Sequence, residues 1–248
     1  MPPRIVDVEG VQGLMARGAQ LVEVLPKHEY REVHLPRAIN LPLSELDARS
    51  AQRLDRGRPV VVYCWDALCD LSPRAAARLD QLGFEAYDYA LSKVDWMARG
   101  LPVEGSTASE PTALSLVRED VATCALDDDA ATLRARIDAS PYGFALALCD
   151  RTVMGRVRRS RLDEAEDSAT AETVMEPAPS TVRPHIRLEE LERRFQNGGA
   201  ETLILTTPSA ELIGVVRRAD LPGHGEQDRR AGLGLVASSL WRSSPAVS

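Results

Sequence analysis

Over its first hundred positions the chain alternates short apolar runs with polar, helix-spaced stretches. Gln20 to Leu25 predicts a strand, and Lys27 to Val33 a polar helical turn ended at His34-Leu35-Pro36. Ala38 to Leu41 predicts extended backbone, and Ser44 to Leu54 has the apolar spacing of an amphipathic helix. Val60 to Tyr63 is a continuous apolar run, the kind found in a parallel sheet covered on both faces. Pro73 to Leu82 sets Ala75, Ala76, Leu79 and Leu82 on one helical face, with Gly83 at the expected C-cap. Phe84 to Tyr89 completes the pattern as another strand. Strands alternating with helices imply right-handed crossovers and a parallel α/β sheet.

Composition shifts at Gly105-Ser106-Thr107-Ala108-Ser109-Glu110-Pro111, a small polar stretch that reads as a linker. A weak internal repeat follows. Asp120 to Thr123, a helix from Ala130 to Ile137, a strand from Phe144 to Cys149 and Val153 to Val157 make one copy. Thr173 to Met175, a helix from Leu188 to Phe195, a strand from Thr202 to Thr206 and Leu212 to Val216 make the second. Each copy is too small to stand alone, so the two should pack together. The expected division is a first domain over 1–105, a linker over 106–114, and a paired module over 115–222. Its copies occupy about 115–162 and 172–222, and a mobile tail is expected over 223–248.

The bulk numbers narrow the classes. A length of 248 residues suits two ordinary domains, and a net charge of -7 argues against a general nucleic-acid binder. With aromatics at 4% the cores must be built from Leu, Val, Ala and Ile. No apolar run reaches the roughly 18–20 residues of a membrane span, and Met1-Pro2-Pro3-Arg4 carries no signal-peptide core, so a cytoplasmic chain with reduced thiols is expected. Cys64, Cys69, Cys124 and Cys149 are not spaced as a disulfide framework. One Cys-x4-Cys pair without a second pair argues against structural zinc. No metal site is expected.

Candidate chemistry gathers where the Val60–Tyr63 run stops at Cys64. A short loop follows, then a helix opening near Ser72-Pro73. A sulfur there faces loop amide N–H groups and the positive end of a helix, and both stabilise thiolate. Such a cysteine can carry sulfur, attack phosphate or sense oxidants. Cys69 spans the same loop: it could resolve a persulfide on Cys64 into a disulfide with release of sulfide, or simply pack as a small hydrophobe. His34 reads as a hydrogen-bonded turn residue, and His28, His185 and His224 as surface residues. Asp127-Asp128-Asp129 suits a helix N-terminus.

Leu21-Val22-Glu23-Val24, Glu29-Tyr30, His34-Leu35-Pro36-Arg37-Ala38-Ile39-Asn40-Leu41-Pro42, Val61-Val62-Tyr63-Cys64, Leu82-Gly83-Phe84 and Asp95-Trp96 with Gly100-Leu101-Pro102-Val103 together resemble the rhodanese domain over about residues 4–105. The resemblance implies sulfur-carrier chemistry. Cys64 would attack a sulfane-sulfur donor and pass the persulfide sulfur to a thiol acceptor, with amides of Trp65, Asp66, Ala67, Leu68 and Cys69 holding the anion. Two departures matter. The loop is flanked by Asp66 and Asp70 rather than a basic residue, and Glu23-Val24-Leu25 lacks the family's arginine, which makes thiosulfate a poor donor. A cysteine-dependent phosphatase would need an arginine six positions after the cysteine, where Asp70 stands.

Thr173-Val174-Met175 with Pro177, and Ile213-Gly214-Val215-Val216-Arg217-Arg218-Ala219-Asp220-Leu221, resemble the opening and closing motifs of cystathionine-β-synthase-type (CBS) modules over about 115–222. The expected fold class is therefore α/β: a parallel-sheet rhodanese-like domain followed by an α+β CBS pair. That resemblance implies an adenosyl ligand (AMP, ATP or S-adenosyl-methionine), with Asp220 holding ribose, and a homodimer formed through the pair. Arg161 stands at the matching place in the first copy, and Arg158 and Arg217 replace the family's threonine. Arg217 and Arg161 could receive phosphates. No cofactor is required by the sulfur chemistry. The competing expectation is a non-catalytic adenylate sensor or scaffold.

Overall fold

The computed structural model describes residues 3–222; the expected tail and His224 lie outside them. The first unit runs β1 (Arg4–Ile5), α1 (Val8–Ala16), β2 (Gln20–Glu23), α2 (Lys27–Glu32), β3 (Ile39–Asn40), β4 (Val60–Tyr63), α3 (Leu71–Gln81), β5 (Ala86–Asp88) and α4 (Ser92–Ala98). Its five strands lie in the order β1-β5-β4-β2-β3 and every pairing is parallel. All four residues of β2 and of β4 are buried, as the continuous apolar run requires. One face of the sheet packs on Ala75, Ala76 and Leu79 of α3. The other packs on Val8, Val11 and Leu14 of α1 and on Trp96 of α4.

The amphipathic helix expected over Ser44–Leu54 is instead two 3-10 turns, Leu43–Glu45 and Ser50–Arg53. Asp47 is the cause. Its Oδ1 accepts from the N–H groups of Arg49 and Ser50 at 2.9 and 2.7 Å, a local alternative to helical bonding. Leu46, Ala51 and Leu54 are buried all the same, so the apolar spacing marks core positions without fixing the backbone.

The stretch expected as a linker is pinned to the first unit. Ser106 and Thr107 N–H groups donate to the carbonyls of Arg31 and Glu32 at 2.9 and 3.0 Å. Gly105, at φ +125, passes so close that a Cβ would lie 2.4 Å from the Glu32 carbonyl oxygen.

The second half contains β6 (Ala122–Ala125), α5 (Ala130–Asp138), β7 (Phe144–Cys149), β8 (Thr152–Arg158), α6 (Arg159–Asp163), α7 (Ala171–Val174), β9 (Glu176–Pro177), β10 (Thr181–Val182), α8 (Leu188–Gly198), β11 (Thr202–Thr206) and β12 (Leu212–Arg217). Two sheets result, β6-β7-β8-β9 and β10-β11-β12. Each begins with a parallel pair and continues with an antiparallel hairpin. Asp129 caps α5, accepting from the Thr132 N–H at 2.7 Å.

The opening segment of each copy crosses to the sheet of the other. Glu176 and Pro177 pair with Arg156 and Gly155 of the first copy, and Arg118 bridges Val215 of the second. The motif glycines mark these crossings. A Cβ on Gly155 would meet the Met175 side chain, and one on Gly214 would lie 2.5 Å from the Arg118 carbonyl oxygen and 2.7 Å from Val117. Backbone cannot yield as a methionine side chain can. Gly214→Ala should therefore lower stability by about 2–3 kcal/mol and Gly155→Ala by less than about 1.5 kcal/mol in urea denaturation.

Candidate functional site

Cys64 closes β4 and is fully buried. Its backbone is held by the start of α4. The Cys64 N–H donates to Ser92 Oγ at 3.0 Å, the Lys93 N–H to the Cys64 carbonyl at 3.4 Å, and the Val94 N–H to the Trp65 carbonyl at 3.0 Å. Ser92 holds φ at +58, a left-handed conformation uncommon outside glycine and asparagine, and its hydroxyl donates to the Tyr89 carbonyl at 2.9 Å. Three consecutive residues of α4 thus fasten the backbone of Cys64 and Trp65.

Cys64 and Cys69 are joined as a disulfide, their Cα atoms 6.4 Å apart. The expectation of reduced thiols fails here, and so does the picture of Cys69 as packing only. The amide cradle is also smaller than expected. The Leu68 N–H donates to Asp66 Oδ1 at 3.0 Å and the Cys69 N–H to the Asp66 carbonyl at 3.3 Å, so two of the five amides turn on Asp66 rather than on sulfur. Leu68 is 94% exposed at the loop tip. Arg74 pairs with Asp70 at 3.3 Å on the surface. Cys124 is buried and its thiol pushed up to about 11 by desolvation, which keeps it protonated; Cys149 is exposed.

Behind the loop lies a pair that the sequence reading missed. Lys93 Nζ sits 2.8 Å from Glu23 Oε1 and donates to the Val33 carbonyl at 2.6 Å, with both side chains fully buried. The same ammonium lies 5.1 Å from the centre of the Trp65 ring. Burial raises the Glu23 carboxyl and lowers the Lys93 ammonium, each resisted by the other's charge. The signal was visible: the residue where family members carry aspartate is another acid, Glu23, and a buried acid needs a cation.

Trp65 also meets the second half. Its ring stands edge-on to His185 at 5.9 Å. His185 is not the surface residue expected; desolvation lowers its pKa and its Nδ1 is buried without a hydrogen-bond partner. His34, by contrast, is a turn residue, its Nδ1 2.7 Å from the Tyr30 carbonyl. Among the described residues no group of three or more His, Cys, Asp or Glu side chains is placed to hold a metal ion. No helix among them is long and apolar enough to cross a membrane.

In the second half, Asp220 is engaged by two arginines. Arg118 Nε and Nη2 donate to its two oxygens at 2.6 and 2.8 Å, and Arg217 adds bonds of 3.2 and 3.1 Å. This fork holds the Asp220 carboxyl well below its ordinary 3.8. Arg158 and Arg156 grip Glu176 in the corresponding place of the first copy. Arg161 lies exposed on α6 and takes no part in either cluster. The three residues expected to bind nucleotide therefore do not form one site: Asp220 and Arg217 meet, with Arg118 as an unforeseen third member.

Residues 7–99 match the family model described as the rhodanese-like domain. The parallel sheet and its Cys64 loop thus fall within the stretch that matches the rhodanese-like domain. The HTH-type transcriptional regulator Rv0324 of Mycobacterium tuberculosis is 38% identical over 84 residues, 34% of this chain and 37% of that protein. The chain thus spans little more than a third of that relative's length. Among solved structures, the BH2092 protein of Bacillus halodurans aligns at 26% identity over 43% of this chain and 80% of its own, with a TM-score of 0.41. CBSX2 in complex with AMP aligns at 16% identity over 51% and 98%, with a TM-score of 0.40.

Two measurements test this site. Lys93→Met should cost about 3–5 kcal/mol, because it strands a buried acid, and Lys93→Met with Glu23→Gln should recover most of the loss in denaturant titration. The Asp220 fork acts through a depressed carboxyl. Its stabilisation is complete above the ordinary 3.8 and is lost only as pH falls through the lower native value. Melting temperatures of wild type and Asp220→Asn should differ by a constant amount above about pH 5 and converge in strong acid.

Proposed function

We propose that this protein handles sulfane sulfur through Cys64, in a site that Cys69 opens and closes. The observation that carries the reading is the reach of Cys69 to Cys64 across a loop fastened by Ser92, Lys93 and Val94. Two equivalents of a small thiol reduce the disulfide, supplying two electrons and leaving as their own disulfide. The freed Cys64 thiolate attacks the outer sulfur of a persulfide donor; the donor's S–S bond breaks, its thiolate leaves, and Cys64 holds the persulfide. An acceptor thiolate can then take that outer sulfur and release Cys64. Alternatively Cys69 attacks Cys64 Sγ, hydrosulfide leaves, and the disulfide returns. Asp66 and Asp70 at the loop disfavour thiosulfate and leave protein or small-thiol persulfides as donors.

Intact-mass analysis of the reduced protein after treatment with glutathione persulfide tests this. Cys69→Ser should retain one added sulfur on Cys64. Wild type should release sulfide and return to the disulfide, and Cys64→Ser should do neither. An unmodified Cys69→Ser protein overturns the reading.

A second reading rests on the Asp220 fork. Ribose hydroxyls taking that carboxylate would free Arg118 and Arg217 for phosphates, as an adenosyl nucleotide requires. The structural relative CBSX2 is described in complex with AMP. AMP or ATP should raise the melting temperature of wild type and not of Asp220→Ala. In this reading the CBS pair also joins two copies, and the protein senses adenylates whether or not Cys64 carries sulfur.

A further inference from the structure

We propose that the crevice between the two halves binds a small, neutral, planar ligand whose occupancy changes the reactivity of the Cys64–Cys69 pair. Trp65 and His185, in edge-on contact, line two cavities at once. One of these, about 250 Å³, is walled by Val33, Met97, Leu101 and Val103 of the first unit and by Leu114 beyond it. Ligand sites are typically concave, mainly apolar, and set at domain interfaces with few polar groups, and this cavity fits that description.

Its chemistry narrows the ligand. The polar rim holds Arg187 and Glu110, which pair at 3.1 Å and cancel each other's charge. Glu32 and His185 also line it; burial disfavours the charged form of His185. An anion would meet the Glu32 carboxylate and no free cation, and Glu32, exposed to water at the rim, offers a buried cation only a solvent-screened partner. An apolar cavity near 150 Å³ holds benzene, so 250 Å³ accommodates a fused two-ring molecule. The rings of Trp65 and His185 offer aromatic surface for it.

Trp65 makes such a site consequential. It follows Cys64 directly, its carbonyl is held by Val94, and its ring lies over Lys93. A ligand that shifts this ring shifts the loop between the two cysteines. Cys64 and Cys69 line neither cavity, so the ligand acts through Trp65 and not as a reactant. The inference holds whether or not Cys64 carries sulfur.

The probe is indole, titrated into the full chain by isothermal calorimetry. Saturable binding with one site per chain is expected. Leu114→Trp and Met97→Trp, which fill the cavity from different elements, should each weaken it at least tenfold while the circular dichroism spectrum stays unchanged. Saturating indole should change the rate of Cys64–Cys69 reduction by dithiothreitol at least threefold in wild type and not in the filled variants. No saturable binding, or binding equal in wild type and in a folded filled variant, overturns the site. Binding with an unchanged reduction rate overturns the coupling. Persulfide loading of Cys69→Ser, measured separately, judges the sulfur chemistry independently of either result.

Discussion

The buried ammonium of Lys93 is the constraint around which the first unit is arranged. A charge sealed from water must be surrounded by partners, and here these are the Glu23 carboxylate, the Val33 carbonyl and the Trp65 ring. They come from the end of β2, the turn after α2 and the loop after β4. One cation therefore gathers three carboxyl-end segments of the parallel sheet at the place where Cys64 emerges. Replacing the pair with apolar groups could keep the fold, but the meeting point would lose its specification.

Much of this was legible in the chain. The Val60–Tyr63 run and the Phe144–Cys149 and Thr202–Thr206 strands fall where their apolar content places them, because buried strands need continuous hydrophobic sequence. Ser44–Leu54 misled because helical spacing of apolar residues says which side chains are buried, whereas Asp47 decides the backbone locally. Gly105–Pro111 misled for the opposite reason. Its composition is that of a free connector, and the carbonyls of Arg31 and Glu32 and the Arg187 guanidinium beside Glu110 tie it down.

The setting of Cys64 was legible in the chain, and the contacts around it were not. Cys64 could be singled out because strand, loop and helix follow one another in sequence. The roles of Ser92, Lys93 and His185 depend on contacts spanning 28 to 120 positions, and no periodicity reports them. Asp220 illustrates the same limit. Its motif position was evident, but its partner Arg118 lies 102 residues away.

The reciprocal crossings in the second half bear on how it comes apart. Each sheet takes an edge contact from the opening segment of the other copy, Glu176–Pro177 on one side and Arg118 on the other. Neither copy can be melted or excised without leaving its neighbour a bare strand. The two repeats, though separate in the sequence, are one interleaved body.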